Sequence, residues 1–120
     1  MPINPNDLSS ILDIVNCISD INEFIGNYDF NQFNNDKMCK LAVERSLEII
    51  GQAANNLSNE TLKDLDNIPW KNIIGLRNKL AHDYGEILAE RIWLISKSSI
   101  KELNTELYKI DEIKKFIESK

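Results

Sequence analysis

Residues 7–25 read DLSSILDIVNCISDINEFI, and this stretch carries the clearest structural signal in the chain. Apolar side chains recur there at the three- and four-residue intervals of one helix face: Leu8, Ile11, Leu12, Val15, Ile18, Ile21 and Ile25. Asn6 or Asp7 is a suitable N-cap, and Gly26 is a suitable stop. The pattern therefore predicts an amphipathic first helix from about Asp7 to Ile25.

A second helix is predicted from about Asp36 to Leu57, after a polar and aromatic connector over residues 27–35. Its inward side is defined by apolar residues at helical spacing: Met38, Leu41, Ala42, Ile49, Ile50, Ala53, Ala54 and Leu57. Ser58 is then expected to cap a short turn of helix.

A third helix is predicted to start at residues 68–70, because proline is favoured in a first helical turn, and to continue until Gly85. The last helix starts near Glu86, and residues 110–117 either prolong it or form a short terminal helix. Four long amphipathic helices with short connections predict an all-α fold: an antiparallel four-helix bundle with short additional helical segments. The length of the chain predicts a single domain over residues 1–120.

The amino-acid composition and the net charge limit the classes of protein to which the chain can belong. With 42% hydrophobic and 28% charged residues, the chain is expected to be globular, and it contains no apolar run long enough to span a membrane. The absence of a secretory leader pattern predicts a cytoplasmic location, where Cys17 and Cys39 are expected to be buried free thiols. The net charge of -5 argues against a general nucleic-acid-binding module, since such modules present a basic face. Any nucleic-acid contact should therefore be local or assembled between subunits.

The candidate site centres on His82, the only histidine of the chain. Arg77 precedes it by five positions, and Tyr84 follows it by two. Histidine is suited to proton transfer near neutral pH, and the planar guanidinium of arginine matches two phosphate oxygens. Asn78 is a supporting side chain that can orient either group. These residue types are suited to proton transfer at a phosphate group, with Arg77 and His82 as the candidate catalytic residues.

The stretch IPWKNIIGLRN at residues 68–78, followed by His82-Asp83-Tyr84, resembles the HEPN family and in particular its HepT-like ribonuclease toxins. The stretch ERSLEIIGQAA at residues 44–54 resembles the second-helix signature of the same group, and the similarity covers about residues 7–108. The resemblance implies an endoribonuclease that cleaves RNA with Arg77 and His82, without a metal and without a cofactor. It also implies a two-fold homodimer with the site at the subunit interface.

The same resemblance implies a regulatory partner. HepT-like proteins are encoded beside a minimal nucleotidyltransferase, which acts as the antitoxin by adenylylating the tyrosine of the H-x-Y element. In this sequence that tyrosine is Tyr84. The expected partners are therefore a second copy of the chain, a nucleotidyltransferase antitoxin and an RNA substrate.

Two requirements follow from the chemistry. RNA cleavage needs both a base and an acid, yet each chain supplies one histidine, so a second copy of His82, a lysine, a tyrosine or water has to fill the other role. Residues five apart are separated by about 140° on an ideal helix, so Arg77 and His82 diverge unless the helix ends before His82. A helix break near Ala81–Gly85 is therefore part of the hypothesis.

Structural roles for the same residues are open alternatives. Arg77 can pair with Asp83 or Glu48. His82 can cap a helix end, and Tyr84 can pack under the turn.

At two further points the sequence leaves the choice open. Glu44, Arg45 and Glu48 either shape the groove of the site or form ion pairs on and between helices. The alternative function is a non-catalytic helical subunit of a nucleotidyltransferase complex, which uses this surface to bind a nucleotide or the partner.

Overall fold

The computed structural model describes residues 3–119, and its regular structure over this range is helical, with no strand. In chain order the helices are α1 (Pro5–Ile25), α2 (Phe30–Asn34), α3 (Lys37–Asn55), α4 (Asn59–Asp64), α5 (Trp70–Ile74), α6 (Leu76–Leu80), α7 (Gly85–Leu94), α8 (Ile100–Leu107) and α9 (Asp111–Glu118). A π-helical turn at Ile95–Ser99 joins α7 to α8. The predicted all-α helical bundle is confirmed. Among residues 3–119, no helix combines the length and the apolar character needed to cross a lipid bilayer.

Helix α3 is the centre of the bundle. It packs along α1 more extensively than any other two helices pack together, and it also contacts α2, α5, α6 and α7. The side of α3 that meets these helices carries the fully buried side chains of Val43, Leu47 and Ile50. Burial of an aliphatic side chain of this size stabilises the fold by roughly 1.5–3 kcal/mol. The shorter helices are therefore positioned by their contacts with α3.

The predicted inward faces of α1 and α3 are confirmed to different extents. On α1 the buried members of the predicted stripe are Ile11, Val15, Ile18, Ile21 and Ile25, and the half-buried ones are Leu8 and Leu12. On α3 the prediction is wrong for Met38 and Leu41, which are 83% and 56% exposed. Cys39 and Val43 face the core instead. Because adjacent helical residues lie about 100° apart, Met38 is then turned towards solvent.

Helix α1 begins earlier than predicted. The cap is Asn4 rather than Asn6 or Asp7, and the Asn4 side chain accepts a hydrogen bond from the backbone N–H of Asp7 at 2.8 Å. Pro5 occupies the first turn, where a missing N–H has no intrahelical acceptor to lose. The predicted stop at Gly26 is confirmed, and its φ of 52° is in the left-handed region that favours glycine.

Two predicted segments are more finely divided in the structure. The predicted connector over residues 27–35 contains α2. At the N-terminus of this helix, Asp29 and Gln32 form a reciprocal capping box. The predicted third helix starts at Trp70, within the predicted residues 68–70, and Pro69 is its N-cap residue. It is interrupted at Gly75, which separates α5 from α6. Glycine has low helix propensity, so it is a position at which a helix readily ends.

Gly51 explains how closely α5 packs against α3. A Cβ atom at this position would lie 3.2 Å from the backbone oxygen of Ile73 and 3.7 Å from that of Ile74. A larger residue would therefore push α5 away from α3. Because α6 follows α5 after a single residue, this close approach also helps to place α6.

The last predicted helix is recovered as α7, the π-helical turn and α8, starting at Gly85 rather than Glu86. Of the two alternatives for the chain end, the structure contains a separate terminal helix, α9. Ser58 caps α4 as predicted, since its side chain accepts a hydrogen bond from the N–H of Thr61. Cys17 and Cys39 are buried free thiols, as predicted.

Asp7 ties the start of α1 to the start of α4. Its carboxylate is 3% exposed and accepts hydrogen bonds from Ser58 Oγ at 2.5 Å, Thr61 Oγ1 at 2.5 Å, the Ser58 N–H at 3.1 Å and Asn4 Nδ2 at 2.9 Å. Burial raises the pKa of this carboxyl, but the hydrogen bonds from Ser58 and Thr61 more than offset burial. The pKa of Asp7 therefore lies below its ordinary value of 3.8.

Acid pH is expected to weaken the hydrogen bonds that the Asp7 carboxylate accepts from Ser58 and Thr61. Because the folded-state pKa of Asp7 is depressed, its stabilising contribution is complete above the ordinary pKa and is lost as the pH falls through the folded-state pKa. Asp7→Asn should lower the free energy of unfolding at pH 7 by about 1–3 kcal/mol, since it removes charge-assisted hydrogen bonds. It should also flatten the acid dependence of that free energy.

Urea unfolding at pH 7 and at acid pH measures both effects. Asp13→Asn, on the exposed side of the same helix, is the charge-matched control. Equal destabilisation by the two substitutions would contradict the role of Asp7.

Candidate active site

The helix that carries Arg77 and Asn78 ends before His82. Helix α6 stops at Leu80, where the N–H of Ala81 donates to the Arg77 carbonyl at 3.1 Å. The N–H of Asp83 then donates to the carbonyl of Leu80 at 3.3 Å. The chain therefore turns at the position where the sequence requires a helix break.

Helix α7 begins directly after this turn. Tyr84 is its N-cap residue, with an extended backbone at φ -135° and ψ 153°. Gly85 follows with φ 59°, a left-handed conformation that other residues rarely adopt. A side chain at Gly85 would be strained, so the entry into α7 depends on glycine.

The four predicted site residues all lie at the surface of this helix–turn–helix segment. Arg77 and Asn78 are exposed on α6, His82 is exposed in the turn, and the Tyr84 ring is 80% exposed. Across residues 3–119, no side-chain hydrogen bond or ion pair joins any of these four groups to another residue. Their polar atoms are therefore available to a substrate or a partner.

The alternative partners of Arg77 are occupied by other arginines. Asp83 pairs with Nε of Arg91, and Glu48 pairs with Nη1 of Arg45 at 3.2 Å. The residue that caps the end of α6 is Ala81, not His82, and the exposed Tyr84 ring does not pack under the turn.

Arg91 contacts the predicted site but was not predicted from the sequence. It lies on the second turn of α7 and reaches back to the residue between His82 and Tyr84. In the sequence, the only indication of this contact is that positions 83 and 91 carry opposite charges. A helix start separates them, so the usual spacing rule for ion pairs within one helix does not apply.

Glu44 lies beside the start of α7. A pocket of about 210 Å³ separates α3 from α7, and its lining residues are Lys37, Lys40, Leu41, Glu44, Gly85, Leu88, Ala89 and Ile92. Partial burial raises the pKa of Glu44, and the nearby negative charge of Glu48 raises it further. Arg45 and Glu48 form an exposed ion pair within α3, which matches the simpler of their two predicted roles.

Some apolar side chains of α3 and α7 are exposed to solvent. Ile87 and Leu94 lie seven residues apart on α7 and are both exposed, opposite the buried Ala89 and Ile92. Leu41 of α3 is exposed across the pocket from Gly85. Exposed apolar groups next to functional residues are typical of a surface that meets another molecule.

The described residues contain no group of three or more His, Cys, Asp or Glu side chains arranged to hold a metal ion. The chemical groups that the site presents are an imidazole, a guanidinium, an amide and a phenol.

Comparison with known proteins identifies the family. Residues 14–110 match the HepT-like ribonucleases. A Methanocaldococcus jannaschii protein provisionally named as an RNase is 37% identical over 106 residues, which cover 88% of this chain and 97% of the relative. A Thermococcus cleftensis protein provisionally named ribonuclease HepT is 35% identical over 98 residues, covering 82% of this chain and 89% of the relative. No solved structure matches.

These matches confirm the resemblance on which the site was predicted. The chain belongs to the HepT-like ribonuclease family, and its enzyme class is that of a ribonuclease.

Proposed function

We propose that this protein is a metal-independent endoribonuclease toxin of a toxin–antitoxin system, which cleaves RNA with Arg77 and His82. The observation that carries the proposal is the exposure of both side chains, without partners among the described residues, on the two sides of a helix end in a HepT-like ribonuclease. A guanidinium and an imidazole held by adjacent elements suit one phosphate group. The expected site of action is the cytoplasm.

The reaction uses the adjacent 2′-hydroxyl of the RNA as the nucleophile. A base removes its proton, the 2′-oxygen bonds to phosphorus, the bond from phosphorus to the 5′-oxygen breaks, and an acid protonates the leaving oxygen. His82 serves as one of these proton-transfer groups. Arg77 stabilises the negative charge that grows on the phosphoryl oxygens, and Asn78 orients either group. These bond changes and proton transfers require no electron transfer and no cofactor.

The second proton-transfer group is proposed to be His82 of a second subunit. One histidine per chain and a reaction that moves two protons favour a two-fold assembly, because such symmetry brings equivalent residues together. Leu41, which lines a pocket with Gly85, and Ile87, on the first turn of α7, are exposed apolar residues that supply area for this contact. A cleft between subunits also places two copies of Arg77 near one phosphate, which offsets the net charge of -5 locally.

Tyr84 is proposed as the point of control by a nucleotidyltransferase antitoxin. The ring is exposed two residues after His82, so a second enzyme can reach its hydroxyl. Transfer of AMP forms a bond from the tyrosine oxygen to the α-phosphorus of ATP, and pyrophosphate leaves. The bulky anion that results stands beside the RNA site, where it repels the substrate backbone and competes for Arg77.

The first prediction concerns cleavage. His82→Ala and Arg77→Ala should each lower the rate by at least about 10²-fold, as expected for loss of a proton-transfer group or a charge-stabilising group. Both side chains are exposed, so the thermal midpoint should stay close to that of the parent protein. Cleavage of an end-labelled RNA in excess EDTA measures activity, with Lys109→Gln, in an exposed ion pair outside residues 77–85, as the control. Strict magnesium dependence, or full activity of His82→Ala, would overturn the mechanism.

A dimer that encloses the site should be disrupted by charge on its apolar border. The Ile87 side chain is 63% exposed in the single chain, and Ile87→Asp should convert a micromolar dimer into a monomer. A persistent interface of this kind should bury more than about 1,000 Å² in total. Sedimentation velocity measures the change, and Tyr108→Asp, at an exposed large side chain at the end of α8, is the matched control. A parent protein that sediments as a monomer would contradict the assembly.

Control through Tyr84 should be visible as covalent mass. Co-expression with the neighbouring nucleotidyltransferase should relieve growth arrest and add AMP to the parent chain but not to Tyr84→Phe. Intact mass spectrometry gives the result, with Tyr108→Phe as the exposed-tyrosine control. Relief without a mass increase, or equal relief of a Tyr84→Phe protein that still cleaves RNA, would show that the partner acts by another route. A parent chain that cleaves no RNA yet binds the partner would favour the non-catalytic alternative.

A further inference from the structure

The turn between α6 and α7 is held by one side-chain contact. Among the described residues, the carboxylate of Asp83 and the guanidinium of Arg91 form the only side-chain hydrogen bond made by residues 77–85. The remaining bonds of this segment join backbone atoms. Loss of this contact would therefore leave the orientation of the turn to the backbone alone.

Asp83 lies between the two residues of the site that project from the turn. Its side chain is 17% exposed, whereas His82 on one side and Tyr84 on the other are exposed. The side chain of Asp83 is held against Arg91 of α7, whereas the Tyr84 ring is 80% exposed. Because Asp83 is joined directly to His82 and to Tyr84, holding Asp83 restricts the backbone from which both of these side chains project.

Arg91 is a firm anchor for this contact. It precedes Ile92, which is 1% exposed in the core, so the helical turn that carries Arg91 is fixed by packing. The guanidinium donates through Nε, a rigid planar donor, and the side chain is half exposed.

We propose that Asp83 and Arg91 form a positioning pair, which orients His82 for RNA cleavage without itself contacting the reacting atoms. This proposal rests on the proposed ribonuclease function of Arg77 and His82. It assigns a role to Asp83, the residue between the histidine and the tyrosine, and to Arg91, which lies outside the sequence motif. Because both residues act through one contact, removing either should have the same effect as removing both.

The experiment compares Arg91→Gln, Asp83→Asn and the double variant with the parent protein, with Lys109→Gln as the control. Lys109 also forms an exposed ion pair, with Glu106 at 3.0 Å, and its substitution changes the net charge by the same amount as Arg91→Gln. Each variant at positions 83 and 91 should lower kcat by about 10–100-fold, with KM within about threefold of the parent. The double variant should match the single variants, and all thermal midpoints should match that of Lys109→Gln.

A second readout does not depend on cleavage. His82 is the only histidine, so its imidazole signals in a proton–carbon NMR spectrum are assigned without ambiguity. In Arg91→Gln and Asp83→Asn these signals should move towards the chemical shifts of a histidine in an unfolded peptide, and in Lys109→Gln they should not move. Unchanged signals would overturn the positioning role whatever happens to kcat. A larger loss in the double variant than in either single variant would overturn it as well.

The two readouts separate failure of this proposal from failure of the proposed function. If the parent protein cleaves no RNA, the ribonuclease mechanism fails, and the NMR shifts alone decide whether Asp83 and Arg91 orient His82. If cleavage depends on His82 but Arg91→Gln raises KM and leaves the imidazole signals unchanged, Arg91 binds RNA directly and the positioning role is wrong.

Discussion

The side-by-side packing of α1 and α3 is the interaction on which the other helices depend. These two helices make the most extensive helix–helix contact of the structure, and the Asp7 carboxylate holds α4 against the start of α1. The remaining sides of α3 receive α5 at the Gly51 position and α7 at the Glu44 position. The candidate site lies on α6 and on the turn that leads into α7. None of its side chains belongs to the core.

The candidate site is exposed because it lies on a turn between two short helices, and each of these helices is anchored in the core. A helix of five residues such as α6 is not stable alone in water, so it is held here by the buried side chains of Leu76 and Leu80. The next buried residue along the chain is Ala89. Between Leu80 and Ala89, Leu88 alone packs partly against the core, and residues 81–87 place no apolar side chain there. Their polar groups are therefore left at the surface, while the backbone is fixed from both ends.

Sequence periodicity was sufficient for the fold class and for the turn, because both depend on local spacing. A helix cannot direct Arg77 and His82 to one side, and the structure ends α6 before His82. The predicted cap of α1 was wrong because Asp7 is used by Ser58 and Thr61, more than fifty residues away. A contact of that separation leaves no pattern in a single sequence.

Two other differences have a related cause. Met38 and Leu41 fit an inward helical pattern, but helix rotation is set by the packing of Cys39 and Val43, and the two residues end at the surface. The Asp83–Arg91 contact crosses a helix boundary, where the geometry of the turn decides which charges meet. Residue types and spacing selected candidate groups that the structure leaves exposed, whereas the Asp83–Arg91 contact beside them could be found only in the three-dimensional structure.

The proposed dimer and the proposed modification place opposite demands on Tyr84. Modification requires that a second enzyme reach the phenol, whereas a dimer closed over His82 shields its neighbours. Both demands are met if Tyr84 lies at the rim of the cleft, with its ring towards solvent and its backbone at the start of α7. The 80% exposure of the ring favours that arrangement, since Asp83, and not Tyr84, is the residue held against α7. On this view, the contact that orients His82 for cleavage also presents Tyr84 for its inhibition, so activity and control depend on one short turn.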